Sequence, residues 1–332
     1  MKVKRTIFVS MILLISVLCL SFMNVNYDKL SRYPYKNEES NRLIREYLTD
    51  DEIEYIIEYS IAPTTFIAYI QERDFNIYHA AEYRDLNKLL WDETPSNIVK
   101  MVEQTRQSLD VVTLANYLVH YSYDEILYWI QHGDPFVDDA ILVTNAGNTN
   151  AYVDDKHTIS TRKPFNLEVI SEEIPTVNDK RIQIDVALQT PLKLLCTAIS
   201  EDIETNRPCG GLLVNNGYIS YAEQEALYKA ASEKYGDNVD MIEFKPGHSE
   251  HQLGLAVDFV LEGLDDSNFA KTEQYTWLTE NAYKYGLIQT YQATNSQVTN
   301  KSEQSYHFRF VGFEYARYLH ENNLTLSDMA TN

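Results

Sequence analysis

The sequence pattern changes near Gly133-Asp134-Pro135, and this change constrains the fold more than any other feature. Before it, over residues 37–133, apolar residues recur at the spacing of amphipathic helices. After it, short apolar runs typical of strands, at 140–144, 212–215 and 256–261, alternate with helical stretches. Because this alternation lacks a regular βαβ rhythm, it predicts an α+β domain preceded by an all-α segment.

Residues 27–136 are predicted to form a helical stalk or spacer domain. Thr49 stands three residues before Glu52, which is a capping box at the start of a helix. Pro63 suits the first turn of a helix expected over 64–71, and two more are expected over 96–107 and 124–131. No pattern here indicates catalysis. A role in binding another cell-wall or division protein is the alternative to a spacer.

The N-terminus has the pattern of an exported chain. Lys2, Lys4 and Arg5 precede an almost uninterrupted apolar stretch over residues 7–23. This arrangement is typical of a signal peptide or a single membrane anchor, and the basic residues favour a cytoplasmic N-terminus. We therefore expect a signal anchor or signal peptide over 1–26, with the rest of the chain extracytoplasmic, either anchored to the membrane or secreted.

The acidic charge of the chain limits the partners that it can bind. The net charge is -21 with scattered basic residues, so the chain would repel phosphate backbones and no nucleic-acid partner is expected.

Beyond the N-terminal segment the cysteines are Cys196 and Cys209. They form either one disulfide across a short loop or a pair of free buried thiols.

The segment PGHSEHQLGLAVD, at 246–258, combines residue types that can bind a metal ion. It carries His251 and, seven residues later, Asp258. Zinc prefers imidazole and carboxylate ligands, and a catalytic site usually has three of them from the protein. The chain has no Gly-rich phosphate loop, no GxSxG elbow and no HExxH motif.

This segment resembles the SxHxxGxAxD signature of the VanY-type D,D-carboxypeptidases and their dipeptidase relatives. The five fixed positions are all filled, and two further blocks follow the family pattern, GYISY at 217–221 and QSYHFRFVG at 304–312. The resemblance covers roughly residues 139–323. It implies a small antiparallel sheet flanked by helices, here within a domain spanning 137–325.

The resemblance assigns roles to particular residues. By position, His251, Asp258 and His307 correspond to the ligands of a Zn²⁺ ion. Gln224 and Tyr306 correspond to residues that line or contact the substrate groove, and Ser249 corresponds to one that either orients a neighbouring ligand or contacts the substrate. The substrate class implied is the peptidoglycan stem peptide with a D-Ala-D-Ala end, from which such an enzyme removes the terminal D-alanine. His248 occupies a variable position and is interpreted as a rim residue.

Two departures from the family pattern fall on catalytic positions. The glutamate that acts as general base on the attacking water is replaced by Gln304, which cannot accept a proton. The arginine that follows Gly-Tyr, and that binds substrate and neutralises the oxyanion, is replaced by Ile219. Glu303 is the candidate substitute for the base, although a shift of one residue in an extended segment normally reverses the side chain.

Three functions remain open at this stage. The first is a zinc metallopeptidase, a hydrolase that trims stem peptides with impaired activity. The second is a zinc-binding pseudoenzyme that binds wall peptides or a partner protein without cutting them. The third is a structural wall or division protein in which the helical part is the functional one.

Overall fold

The computed structural model describes residues 2–25, 28–264 and 266–330. It divides into two compact units, Met1–Ala115 and Asn116–Asn332. The predicted boundary near residue 136 lies later in the chain, so the last helix of the predicted spacer belongs to the second unit.

The first unit is helical. Its core contains Ile44, Ile53, Ile56 and Phe66, all buried. The predicted capping box is present, since Thr49 and Glu52 exchange both of its hydrogen bonds. The helices are α1 Lys2–Val25, α2 Glu38–Tyr47, α3 Asp50–Glu58, α4 Ala80–Leu89, α5 Pro95–Thr105 and α6 Val111–Leu118, the last crossing the boundary between the units.

One helix predicted for this unit does not form. The helix expected over 64–71 is replaced by a 3₁₀ turn at Pro63–Thr65 followed by turns, because Phe66 leaves the helical region at φ -135°. Among the residues that the structure describes, no helix has both the length and the apolar character needed to cross a membrane.

The second unit is an α+β domain, as predicted. Its four-stranded sheet is antiparallel throughout and has the order β5-β6-β8-β7. Two small pairs flank it, β1-β2 parallel and β3-β4 antiparallel. The strands are β1 Ile141–Leu142, β2 His157–Thr158, β3 Leu167–Val169, β4 Gln183–Asp185, β5 Leu212–Asn216, β6 Ala256–Leu261, β7 Leu287–Ile288 and β8 His307–Phe310.

Helices complete this domain and supply much of its core. The longest, α8, buries Leu188, Leu192, Leu195 and Ile199, which share one helical face. The helices are α7 Tyr123–His132, α8 Val186–Asp202, α9 Tyr221–Tyr235, α10 Glu273–Asn281, α11 Ser296–Thr299, α12 Phe313–Glu321 and α13 Leu326–Ala330.

A disulfide joins Cys196 on α8 to Cys209 in the turn before β5, which settles the alternative left open by the sequence. The two cysteines are 13 residues apart. Closing a loop of that length reduces the entropy of the unfolded chain, which is worth about 3 kcal/mol. Replacing both cysteines by alanine should therefore lower the free energy of unfolding by about 3 kcal/mol. Urea titration followed by tryptophan fluorescence measures it, since Trp277 is buried against Asp202 at the end of α8.

The control for this prediction is Cys19→Ala. Cys19 is exposed and has no disulfide partner, so its replacement should leave the unfolding midpoint of the second unit unchanged. A loss below about 1 kcal/mol in the double variant would contradict the prediction.

Candidate metal centre

His251 is positioned by a short 3₁₀ turn, Glu250–Leu253. Ser249 begins the turn, because its Oγ accepts a hydrogen bond from the backbone N–H of His251 at 3.3 Å. Gly254 ends it at φ 74°, a conformation that L side chains rarely adopt. A Cβ at Gly254 would also stand 3.2 Å from the backbone nitrogen of Asp185. The close packing of this turn onto β4 therefore needs glycine.

Strand register places the other two candidate ligands side by side. Asp258 on β6 pairs directly with His307 on the neighbouring β8. On the other side of β6, Asn216 at the end of β5 also pairs with Asp258, next to a bulge after Val214. Adjacent strands thus present an amide, a carboxylate and an imidazole at one level of the sheet.

Three side-chain atoms converge on one point. Asp258 Oδ1 lies 3.2 Å from His251 Nε2 and 2.9 Å from His307 Nδ1. The candidate ligand atoms of all three residues lie within 4.8 Å of one another, and all three residues are buried. Ligands held tetrahedrally at about 2.0–2.1 Å from zinc stand about 3.3 Å apart, so the observed spacing suits such an ion.

Each candidate ligand is oriented by a partner on the atom facing away from this point. His251 Nδ1 lies 2.7 Å from the carbonyl oxygen of Gly217, and His307 Nε2 lies 3.0 Å from Glu250 Oε2. Asn216 Nδ2 donates to Asp258 Oδ2 at 2.8 Å. These contacts leave Nε2, Nδ1 and Oδ1 free for a metal, which is the usual arrangement behind a zinc site.

Gly217 and Glu250 are themselves fixed. A Cβ at Gly217 would stand 2.6 Å from the carbonyl oxygen of Gln183, so only glycine brings this carbonyl to His251. Glu250 Oε2 also accepts from the hydroxyl of Thr290 at 2.8 Å. The supporting contacts therefore come from several distant parts of the domain.

The buried carboxylates and imidazoles stabilise one another's charged forms. Burial opposes ionisation of Asp258, but the imidazoles of His251 and His307 hold the pKa of its carboxyl below the usual range. Burial likewise opposes the charge on Glu250, whose pKa is lowered by His307 and by nearby Arg309. Burial alone would lower the pKa of His307, yet the carboxylates of Asp258 and Glu250 raise it to about 9.

The donor set fits zinc. Two imidazoles and one carboxylate are typical ligands of zinc sites that keep one position open. The predicted cofactor, Zn²⁺, therefore matches the chemistry of His251, Asp258 and His307 as the structure arranges them.

A cavity of about 260 Å³ lies beside this group. His251 and Asp258 line it, and so do Gln304, Tyr306 and Ile219. The structure thus brings the two catalytic departures, Gln304 and Ile219, to the predicted site.

The remaining predicted site residues are divided between this cavity and other places. Gln224 lines the cavity, but its side-chain amide is engaged, since Nε2 donates at 2.9 Å to both Glu243 Oε1 and the carbonyl oxygen of Phe244. Ser249 is buried beneath the turn of His251 and does not line the cavity. Glu303 is exposed and lines a separate cavity of about 620 Å³.

His248 is not a rim residue. It is only 2% exposed, and its ring nitrogens contact the carbonyl oxygen of Asp154 at 2.5 Å and the carboxylate of Asp134 at 3.1 Å. Each ring nitrogen therefore has a polar partner, as is usual for a buried polar side chain.

Sequence reasoning missed Asn216 and Glu250, the two side chains that orient the ligands. Glu250 stands inside the SEHQ segment, and Asn216 immediately precedes the Gly-Tyr block. Their position within the matched blocks is the signal that singles them out. Their contacts depend on strand pairing and on Thr290, which no local pattern reveals.

The fold and the site define an α+β domain with a zinc-type ligand group. Residues 193–313 match the VanY family model, described as D-alanyl-D-alanine carboxypeptidase, which confirms the resemblance read from the sequence and identifies this part of the chain as a VanY-type domain. A D-alanyl-D-alanine carboxypeptidase of Enterococcus faecalis is 40% identical over 83 residues, covering 25% of this chain and 30% of the relative. The putative carboxypeptidase YodJ of Bacillus subtilis is 32% identical over 118 residues, covering 34% and 43%.

The chain therefore spans less than half the length of these curated relatives. Among solved structures, the LdcB LD-carboxypeptidase is similar with a TM-score of 0.52 and 26% identity, over 58% of this chain and 90% of that one. The shared fold extends beyond the matched sequence blocks.

Glu250 is expected to raise the affinity for zinc by orienting the ring of His307, which it contacts. Replacing it by glutamine keeps the size but removes the charge that orients the ring, and loss of such a partner typically weakens metal binding about 10–100-fold. Zinc affinity of Glu250→Gln, measured by competition with a chelator, should fall by that factor. Glu243→Gln is the matched control. Among the described residues, Glu243 makes no hydrogen bond to His251, Asp258 or His307. Equal affinity in Glu250→Gln and the parent would contradict this role.

Zinc binding should strengthen as pH rises. With a pKa raised to about 9, the metal-free His307 is protonated at neutral pH. Zinc needs the neutral ring, so binding releases that proton, and the affinity should rise about tenfold per pH unit between pH 6 and 8. Chelator competition at constant ionic strength measures this slope. An affinity independent of pH over this range would contradict the charge assignment.

Proposed function

We propose that this chain is an exported zinc metallopeptidase-family protein that acts on the peptide part of peptidoglycan, with impaired D,D-carboxypeptidase turnover. The observation that carries the proposal is the convergence of His251 Nε2, Asp258 Oδ1 and His307 Nδ1 beside a cavity of about 260 Å³. The relatives of Enterococcus faecalis and Bacillus subtilis support the class of reaction, since both are described as carboxypeptidases.

The residues of such a site have different roles. Zinc, when bound, supplies Lewis-acid polarisation of a peptide carbonyl and favours deprotonation of an attacking water. His251, Asp258 and His307 would hold the ion, and Glu250, Asn216 and the Gly217 carbonyl would keep the ligand atoms oriented toward it. Tyr306 and Gln304 line the cavity in which the peptide would lie.

Impaired turnover follows from two side chains. Gln304 lines the cavity and can hold a water by a hydrogen bond, but an amide cannot take its proton; loss of a general base costs about two to four powers of ten in rate. Ile219 lines the same cavity and offers no charge to a developing oxyanion. Glu303 lies in a different cavity, so it is not the replacement base in this proposal.

Export to the outside of the cell membrane is part of the proposal. The basic and apolar pattern of residues 1–23 supports it. The disulfide between Cys196 and Cys209 also supports it, because disulfides persist mainly in oxidising compartments.

The test uses the zinc-loaded full chain and a purified stem peptide ending in D-Ala-D-Ala. We expect slow release of D-alanine, detected by mass spectrometry, that disappears in Asp258→Ala. The presence of Gln304 in the cavity favours a second candidate, a binding module. Peptide binding without any release would select that alternative, and the absence of both binding and release would overturn the proposal.

A further inference from the structure

Arg162 is a buried cation that the proposed reaction does not use. It is 4% exposed and follows β2 in the chain. We propose that Arg162 and His120 form a binding site for the carboxylate group of a peptide, separate from the metal centre. Neither residue lines the cavity beside the candidate ligands. The site is independent of the proposed reaction.

The guanidinium of Arg162 has more hydrogen-bond donors than partners. Its Nε donates to the carbonyl oxygen of His120 at 2.7 Å. Its Nη1 is buried and makes no hydrogen bond to any residue that the structure describes. An arginine has five N–H donors in a planar fork, so the edge that carries Nη1 is available to an acceptor. Buried donors are nearly always paired in native proteins, and an unpaired one is costly.

The charge of Arg162 also lacks a direct counter-ion within the described ranges of the chain. The carboxylates of Glu125 and Asp185 attract it without forming an ion pair. Both have other partners. The oxygens of Glu125 accept from the backbone N–H groups of Ser122 at 2.7 Å and Lys163 at 2.8 Å, and Asp185 caps the start of α8. A buried guanidinium without a close anion is rare, because burial disfavours the charge.

Aromatic rings and an imidazole surround the rest of the guanidinium. The rings of Tyr121 and Phe165 lie 6.0 and 5.9 Å from its central carbon. Such contacts offset part of the cost of burying the charge but use none of its hydrogen bonds. Burial, together with the charge of Arg162, lowers the pKa of His120, so its ring is neutral at pH 7 and has one N–H to donate. The buried part of the site therefore carries the single positive charge of Arg162.

The opening of this site lies at Gly147, which is exposed. A Cβ there would stand 2.6 Å from Nδ1 of His120 and 3.5 Å from Nη2 of Arg162. The φ of Gly147 lies outside the left-handed region, so the backbone conformation does not require glycine. The small residue instead leaves room at the corner between the imidazole and the guanidinium.

A carboxylate fits these groups better than a phosphate does. Its two oxygens match the parallel N–H bonds along one edge of a guanidinium. Its single negative charge equals the one positive charge of Arg162. A phosphate dianion would bring a second negative charge, which the nearby carboxylates of Glu125 and Asp185 oppose. The net charge of -21 repels a dianion further.

The experiment uses an N-acetylated dipeptide of L-alanine with either a free C-terminal carboxylate or a C-terminal amide. Isothermal titration calorimetry measures binding to the zinc-loaded full chain. Because zinc also attracts carboxylates, the same titrations are made with Asp258→Ala, which lacks one candidate ligand of the metal. We expect the carboxylate form to bind at least about tenfold more tightly than the amide in both proteins, which corresponds to about 1.4 kcal/mol.

Two variants test the assigned residues. Gly147→Ala should weaken binding of the carboxylate peptide at least about tenfold, because its methyl group fills the corner at which the oxygens would lie. Arg162→Lys keeps the charge but lacks the planar fork, and it should weaken binding by a similar factor. The matched control is Asn150→Ala, an exposed side chain of the same loop, which should bind like the parent. Circular dichroism establishes that each variant is folded.

A third peptide, an amide with glutamate as its last residue, distinguishes the source of the carboxylate. Its binding would support the inference and extend it to acidic side chains, whereas its failure to bind would restrict the site to C-terminal carboxylates. Equal affinity for the carboxylate and amide forms would overturn the inference. So would an unchanged affinity in Gly147→Ala, because the carboxylate would then be bound elsewhere. Tighter binding of inorganic phosphate than of the carboxylate peptide would overturn it as well.

Discussion

The double replacement Gln304→Glu, Ile219→Arg is expected to raise D-alanine release from a peptide ending in D-Ala-D-Ala by at least about 10³-fold. Both side chains line the cavity beside the candidate ligands, so the new groups would stand next to the reacting bond. A general base contributes about 10²–10⁴ in rate, and one electrostatic contact to an oxyanion contributes about 10²–10³. The two need not multiply, because groups that serve one transition state are coupled.

The measurement is the rate of D-alanine release by the zinc-loaded full chain, with each single variant alongside. Gln304→Glu alone should recover proton transfer, seen as a larger kcat. Ile219→Arg alone should raise kcat through the oxyanion contact and also lower KM for the free carboxylate peptide. Glu303→Ala is the control, because Glu303 lines the other cavity and its loss should leave the rate unchanged. A double variant no faster than the parent would show that the scaffold, and not only the chemistry, departs from an active enzyme.

Removal of a single ligand is expected to abolish zinc binding. His307→Ala leaves two ligand side chains and also deprives Glu250 and Asp258 of the imidazole that lies between their carboxylates. Truncating a buried group of this kind leaves charges without partners, which is costly in itself. We expect zinc affinity to fall by more than about 10³-fold and the thermal stabilisation by added zinc to vanish.

The matched control for this prediction is His132→Ala, since His132 is exposed at the end of α7, where it contacts the carbonyl oxygen and the ring of Tyr128. Zinc binding by His132→Ala should equal that of the parent. Retention of one tightly bound zinc per chain in His307→Ala would show that the ion sits elsewhere.

The sequence predicted those features that local patterns encode. The capping box at Thr49 depends on four consecutive residues, and the structure contains it. The α+β class follows from the alternation of short strands and helices. The three candidate ligands stand in blocks whose order resembles that of a family, and strand pairing then brings Asp258 and His307 together.

Features that depend on distant pairing were not predictable in this way. Asn216 reaches Asp258 only because β5 pairs with β6 after a bulge, and Glu250 is fixed by Thr290, forty residues away. The disulfide stayed an alternative because two cysteines at a suitable spacing do not reveal whether their side chains meet. The helix expected at 64–71 fails because burying Phe66 outweighs local propensity, a common result of tertiary packing.

The most direct test of the central claim is zinc K-edge X-ray absorption on the zinc-loaded full chain, combined with metal analysis. The arrangement of His251, Asp258 and His307 predicts one zinc ion per chain, bound by two imidazole nitrogens and a carboxylate oxygen. Asp258→Ala should remove that signal. A chain that binds no zinc, or one whose zinc is bound by a different set of ligands that survives Asp258→Ala, would contradict the account.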